Sequence, residues 1–158
     1  MNVTAYNYTV NVAASAAEAK VTITDSALTG KNVVNVAASD AIITIDGTTL
    51  TCVDESANEY YATLFLNKDA KGATITATNM TFNLSGDSKK ATNQAENGTI
   101  TIDGLTNEVS INVATLVRGE YWYGFETIDA ALATAEAGET ITLIRDVPAV
   151  NSRLMVEN

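Results

Sequence analysis

Ile43-Thr44-Ile45-Asp46-Gly47-Thr48 is the stretch on which the fold turns, because the same phrase recurs three more times. It reads Val21-Thr22-Ile23-Thr24-Asp25-Ser26 before it. It reads Ile75-Thr76-Ala77-Thr78-Asn79-Met80 and Ile100-Thr101-Ile102-Asp103-Gly104-Leu105 after it. In each phrase apolar residues alternate with polar ones, mostly Thr, which is the period of a half-buried strand. Asp, Asn or Gly then marks a bend where φ turns positive. A second apolar position follows at Leu28, Leu50, Phe82 and Leu105.

Aligning Asp25, Asp46, Thr78 and Asp103 gives spacings of 21, 32 and 25. Periods in the twenties are those of solenoids. Apolar side chains would point into a bore and Thr would face outward. One coil cannot bury its own apolar face, so coils must stack. Shorter strands lie between the phrases, at Val33-Val34-Asn35-Val36 and Tyr61-Ala62-Thr63-Leu64-Phe65-Leu66. The spacing of 32 predicts an inserted loop at 53–60, and a second polar loop is expected at 85–97. The competing architecture is an antiparallel β-sandwich or jelly roll, whose strands also recur at short intervals with turn signals between them. The shared phrase, more than its spacing, favours an all-β parallel β-solenoid.

Composition narrows the function. The chain has 158 residues, room for one domain or for one domain and a small appendage. Its net charge of −10 repels phosphate backbones and anionic head groups, so nucleic-acid binding and membrane-surface binding are not expected. No apolar run reaches the length of a membrane-spanning helix. There is no His, which removes His-dependent triads, the usual zinc hydrolases and His-ligated haem. The one Cys, Cys52, excludes an internal disulfide framework and reads as a buried, inert thiol. With 23 Thr and 15 Asn, much of the surface must be polar and weakly charged. The same richness makes five Asn-X-Ser/Thr matches, at Asn2, Asn7, Asn79, Asn83 and Asn97, a matter of chance. The start, Met1-Asn2-Val3-Thr4, carries no basic and apolar leader, so export is expected through a removed signal or by another route such as lysis.

The stretch 1–14 alternates as a terminal strand, with Tyr6 and Tyr8 on its outer face. They either bury against a partner subunit or cover a solenoid end. Beyond about residue 119 the pattern changes, dividing the chain into a Thr-rich 1–119 and a distinct 120–158. Alternation over 109–116 gives way to Tyr121-Trp122-Tyr123-Gly124-Phe125, four aromatics in five positions. These read as an interface or as the core of an end cap, with sugar stacking as a rival. A helix follows over 126–137, with Ile128, Ala131, Leu132 and Ala135 on one face. Thr127 is its expected N-cap, Asp129 complements the dipole, and Gly138 is placed as C′. Thr140-Ile141-Thr142-Leu143-Ile144 is a strand.

The run Phe125-Glu126-Thr127-Ile128-Asp129-Ala130-Ala131-Leu132-Ala133-Thr134-Ala135-Glu136-Ala137-Gly138-Glu139-Thr140-Ile141-Thr142-Leu143 resembles the entry segment of right-handed parallel β-helices. These are the pectate-lyase-like solenoids found also in bacterial surface adhesins and phage fibre or decoration proteins. The Ile-Thr-Ile-Asp-Gly phrases resemble their rungs. The resemblance implies a right-handed solenoid with one short capping helix near the C-terminus. It specifies fold better than activity. Two departures stand out: here the helix follows about 120 residues of strand, and the calcium-binding Asp cluster with a basic catalytic residue has no counterpart.

Paired carboxylates are the only catalytic option in this composition. Asp25, Asp46 and Asp103 would stack on one edge, where they cap their own turns, hold calcium, or catalyse; turn capping is the expected role. The expectation is therefore a non-enzymatic protein without a cofactor. Its interface residues would be Tyr6, Tyr8, Tyr121, Trp122, Tyr123 and Phe125. The leading function is a bacteriophage virion protein, a capsid decoration or fibre component exposed on the particle. It would be homo-oligomeric, with trimers usual in resembling fibres, and docked on a capsid or fibre protein. The alternative is a fragment of a bacterial cell-surface adhesin, extracellular or surface-bound. A glycan-binding module that meets a host-surface glycan is the third.

Overall fold

The computed structural model describes residues 1–53, 62–86, 88–106, 109–119 and 121–145. The chain divides into two units, Met1–Ser110 and Ile111–Asn158. The division at 119/120 read from composition puts Ala114–Arg118 in the first unit. Among the described residues that strand pairs with strands of the second.

The first unit is a right-handed parallel β-solenoid. Its first coil holds β1 (Asn2–Thr4), β2 (Val10–Val12) and β3 (Lys20–Thr24). The second holds β4 (Ala27–Gly30), β5 (Val34–Val36) and β6 (Ile42–Asp46). The third holds β7 (Thr49–Cys52), β8 (Ala62–Leu66) and β9 (Thr74–Thr78). The fourth holds β10 (Thr81–Asn83), β11 (Lys89–Asn93) and β12 (Thr99–Ile102), and β13 (Ser110–Ile111) ends the second sheet. The coils stack into three sheets, β1-β4-β7-β10, β2-β5-β8-β11 and β3-β6-β9-β12, all parallel.

Like residues stack on like. Val21, Ile43, Ile75 and Ile100 form one column into the bore; Ile23, Ile45, Ala77 and Ile102 form the next. Val3, Leu28, Leu50 and Phe82 line up in the first sheet, and Val34 and Leu64 in the second. Ile43, Ile45, Leu50 and Leu64 are wholly buried. Sandwich pairing is thereby excluded, since these strands pair in parallel and not as hairpins.

Two corners are built by residues with positive φ. Glu18, Asp40, Gly72 and Asn97 turn the chain from the second sheet to the third. Asp25, Gly47 and Asn79 turn it from the third to the first, and the positive-φ pair Asp103-Gly104 follows the last strand of the third. In the first three coils each N–H reaches the next coil, as Asp40 N–H to Lys71 O at 2.8 Å and Gly47 N–H to Thr78 O at 3.1 Å, whereas Asp103 N–H reaches back to Ala77 O at 2.8 Å. Asp25 therefore stacks on Gly47, because Thr24 pairs with Asp46. This corrects the alignment of Asp25 with Asp46, and the first spacing is 22. The reason is the bore: a one-residue slip would send Ile43 and Ile45 to the outside.

Three other expectations are corrected. The stretch 1–14 is two strands in two sheets, and Tyr6 and Tyr8 lie in the turn between them. Residues 85–97 are not one polar loop, since they hold β11 with Ala91, Thr92, Asn93, Gln94 and Ala95 buried. Asn93 is bonded there, its Nδ2 donating to Gly98 O at 2.8 Å and its Oδ1 accepting from Ala95 N–H at 3.0 Å, whereas Thr92 Oγ1 is buried without a hydrogen-bond partner. The alternation over 109–116 is broken at Asn112–Val113, between β13 and the next strand. The spacing of 32 has two sources. Leu28 to Leu50 is 22 residues, Val34 to Leu64 is 30 and Ile43 to Ile75 is 32, so most of the excess falls between the first and second sheets. The loop expected at 53–60 lies, past Val53, outside the described residues.

In the second unit β14 (Ala114–Arg118) runs antiparallel to both β15 (Tyr121–Phe125) and β16 (Ile141–Leu143). The helix α1 (Ile128–Thr134) packs Ala131 against Ala114, Leu116 and Phe125. Thr127 is the N-cap, its Oγ1 accepting from Ala130 N–H at 3.1 Å. The helix is shorter than expected. Ala135 is already extended (ψ 140°), so Gly138 (φ 88°) serves the turn into β16 and is not the C′ residue. Glu139 competes for the helix end, its Oε2 accepting from Glu136 N–H at 2.7 Å.

Candidate functional site at the open corner of the solenoid

Two corners of the solenoid are locked by positive-φ columns. The third, between the first and second sheets, is bridged by 5–9 in the first coil and 31–33 in the second, and of the connections in the third and fourth coils 53, 84–86 and 88 are described. Loops on a rigid scaffold are where binding residues concentrate. Here the described segments present Tyr6 at 79% exposure, with Tyr8, Val53 and Leu84 also exposed. Lys31 Nζ sits 4.9 Å from the Tyr6 ring centroid, a cation–π contact that orients the ring.

Local sequence explains why this turn lies flat on its neighbour. Asn7 O accepts from Lys31 N–H at 2.9 Å and Asn32 N–H at 3.1 Å. Thr9 Oγ1 donates to Thr29 O at 2.6 Å. Gly30 permits the approach, since a Cβ there would meet Thr9 Oγ1 at 2.9 Å and Asn7 O at 3.0 Å. The third and fourth coils join the corner through Val53 N–H to Gly30 O at 3.0 Å and Ser85 Oγ to Cys52 O at 2.8 Å. Cys52 is buried, its Sγ donating to Lys31 O at 3.0 Å. The backing of the site is thus rigid while its outer side chains are open.

The turn aspartates bind neighbouring coils. Asp46 Oδ1 accepts from Thr78 Oγ1 at 2.7 Å and Asn79 Nδ2 at 2.8 Å. The Thr78 bond, then the Asn79 bond, holds its carboxyl below the usual range. Asp103 Oδ1 accepts from Asn79 N–H at 2.8 Å. Asp25 lies over Gly47, where its Oδ1 would be 2.8 Å from an added Cβ. The three carboxylates therefore serve the corner column. Among the described residues no group of three or more Cys, Asp or Glu is placed to hold a metal ion.

The aromatic segment of the second unit is a strand. Phe125 lies in that unit's core, and Tyr123 is half-buried against it. The side chains of Tyr121 and Trp122 lie outside the described residues. Arg118 faces the Tyr123 ring at 5.5 Å and forks onto Glu139, Nε to Oε1 at 2.6 Å and Nη2 to Oε2 at 2.8 Å. That bidentate bond, with the Glu136 N–H second, lowers the Glu139 carboxyl to about 2, and it raises Arg118. Tyr6 and Tyr8 thus belong to the first unit and the other four sequence-derived site residues to the second.

Lys31, Val53 and Leu84 were not legible as members of a site. Their signal was the Gly30-Lys31-Asn32 break between two apolar runs, which marks a corner but not its neighbours. No protein-family model, no curated protein and no solved structure matches this chain. Among the described residues no helix is long and apolar enough to cross a membrane.

Proposed function

We infer that this chain has a structural role, for which the β-solenoid supplies the scaffold. We propose that this chain is a non-enzymatic module of a bacterial cell-surface adhesin, in which the stacked coils hold the open corner toward a partner. The observation that carries this reading is the asymmetry of the corners. Two are periodic and locked, and one bears irregular segments with Tyr6, Tyr8, Lys31, Val53 and Leu84. The resemblance of the helix segment and rungs to pectate-lyase-like β-helices supports it at the level of architecture.

The test is adhesion of the labelled full chain to host-cell and glycan-coated surfaces. Binding is expected, and Tyr6→Ala with Tyr8→Ala should abolish it while Thr81→Ala leaves it intact. No binding at millimolar ligand sinks the reading. Virion fibre and decoration proteins share the resemblance, and the gene neighbourhood separates the two. A wall anchor or a long repeat array on the same reading frame is expected, and adjacent capsid and terminase genes would transfer the module to a particle. Light scattering tests the trimer usual in such fibres, against which a monodisperse 16.6 kDa species would count.

A further inference from the structure

The outer face of the third sheet is unlike the open corner. In-register pairing of β3, β6, β9 and β12 stacks Thr22, Thr44, Thr76 and Thr101 into one unbroken column. Thr74 and Thr99 extend it on one side, two residues upstream. Parallel stacking repeats each hydroxyl at about 4.8 Å along the column, and residues two apart on a strand lie about 6.6 Å across it. The array is two-dimensional and held by the coils, whose stacking suppresses the twist of an open sheet.

Three observations select an occupant. The hydroxyls of the column are unspent: among the described residues Thr22, Thr44, Thr76 and Thr101 make no side-chain hydrogen bond, whereas Thr9, Thr48, Thr63 and Thr78 each donate to the protein. The column is uncharged in a chain of net charge −10, and the acids two residues downstream of it are engaged, Asp46 by the Thr78 and Asn79 side chains and Asp103 by Asn79 N–H. The face is also small. Three strands of five residues and one of four cover about 300 Å² by strand geometry, against roughly 800 Å² per partner for a stable protein interface. A second copy of the chain is therefore a poor fit, and so is a cationic partner. What matches is an uncharged solid whose surface repeats near both spacings.

We propose that this face binds ice. Oxygen rows in hexagonal ice repeat near both distances, so the hydroxyls join the lattice in register and the threonine methyls fill the spaces between rows. Each contact is weak. The sum is effective because the array is ordered before binding and loses little freedom on contact. Ile42, exposed at the edge of the face, contributes methyl groups without a hydroxyl; Lys20 interrupts the first rung. This activity is separate from the open corner and does not depend on the adhesin reading.

The test is the gap between melting and freezing points of a seeded crystal in a solution of the purified full chain, with crystal habit followed by microscopy. A measurable gap and faceted crystals are expected. Thr44→Tyr and Thr76→Tyr, which raise a ring from the middle of the face, should abolish both. Thr81→Tyr, an equal change on the exposed face of the first sheet, should leave both unchanged, with circular dichroism confirming the fold of all three. Unshaped crystals with the unsubstituted chain overturn the proposal. So does equal loss in Thr44→Tyr and Thr81→Tyr, or a change of oligomeric state on substitution at Thr44, which would make the face a contact between copies.

Discussion

The two units use the same sequence grammar and reach different folds. Apolar-polar alternation marks Val21-Thr22-Ile23 in the first unit and Ile141-Thr142-Leu143 in the second. In the first, the phrase recurs and each strand finds a parallel copy one coil away, so a bore forms. Among the described residues twenty-two buried side chains there make one continuous core. In the second the phrase has no copy. β14 is flanked by antiparallel neighbours, and among the described residues only Ala114, Leu116, Phe125 and Ala131 are buried together. Repetition, not alternation, is what selects the parallel stack. The Arg118–Glu139 fork and the Thr127 cap stand beside these four as fastenings.

The largest expected effect breaks the first unit. Ile45→Ala or Leu64→Ala empties a fully buried site in the bore and should destabilise by about 2–5 kcal/mol, read as a lower urea midpoint in far-UV circular dichroism. The sole Trp, Trp122, belongs to the second unit, so its fluorescence should follow a separate, earlier transition. Coincident curves would show that the units unfold as one.

Gly98→Ala sharpens the account of the stack. Its Cβ would meet Ala95 Cβ at 2.7 Å and Leu66 Cδ1 at 3.0 Å, so a loss of roughly 1–3 kcal/mol is expected. Gly104→Ala meets nothing within 4 Å but sits at φ 79°, and a loss of about 1 kcal/mol from backbone strain alone is expected. Equal losses in the two variants would refute the packing argument for Gly98.

The fork of the second unit should be visible in acid. Glu139 has a folded value of about 2, below the ordinary 4.5. Its stabilisation is therefore complete above about pH 4.5 and is lost as pH falls from there through about 2. The Trp122 transition should move to lower urea across that window, and Arg118→Ala should flatten the dependence. The smallest effect belongs to Asp46→Ala, at an exposed corner. It removes one acceptor for Thr78 and Asn79, and a slight lowering of the first unit's midpoint is expected, measurable only against replicate curves.

The alternation of the Ile-Thr phrases, the Asp and Gly corners and the Thr127 cap were legible because each is a local property. The polar look of Thr92-Asn93-Gln94 misled, because amides bonded to Gly98 O and Ala95 N–H are buried only once a neighbouring coil covers them. The Tyr6–Lys31 pair was hidden for a similar reason, joining residues 25 positions apart through the stacking of coils.

By itself the sequence determined that strands with one apolar face would form, that they repeat, and that a capped helix follows them. Those facts rest on side-chain period and backbone preference, which act over a few residues. The tertiary structure alone decided that Thr24 and not Asp25 meets Asp46, that one corner of three stays open, and that four threonine hydroxyls fall in line. Each depends on how one coil is seated on the next, and that seating is set by filling the bore.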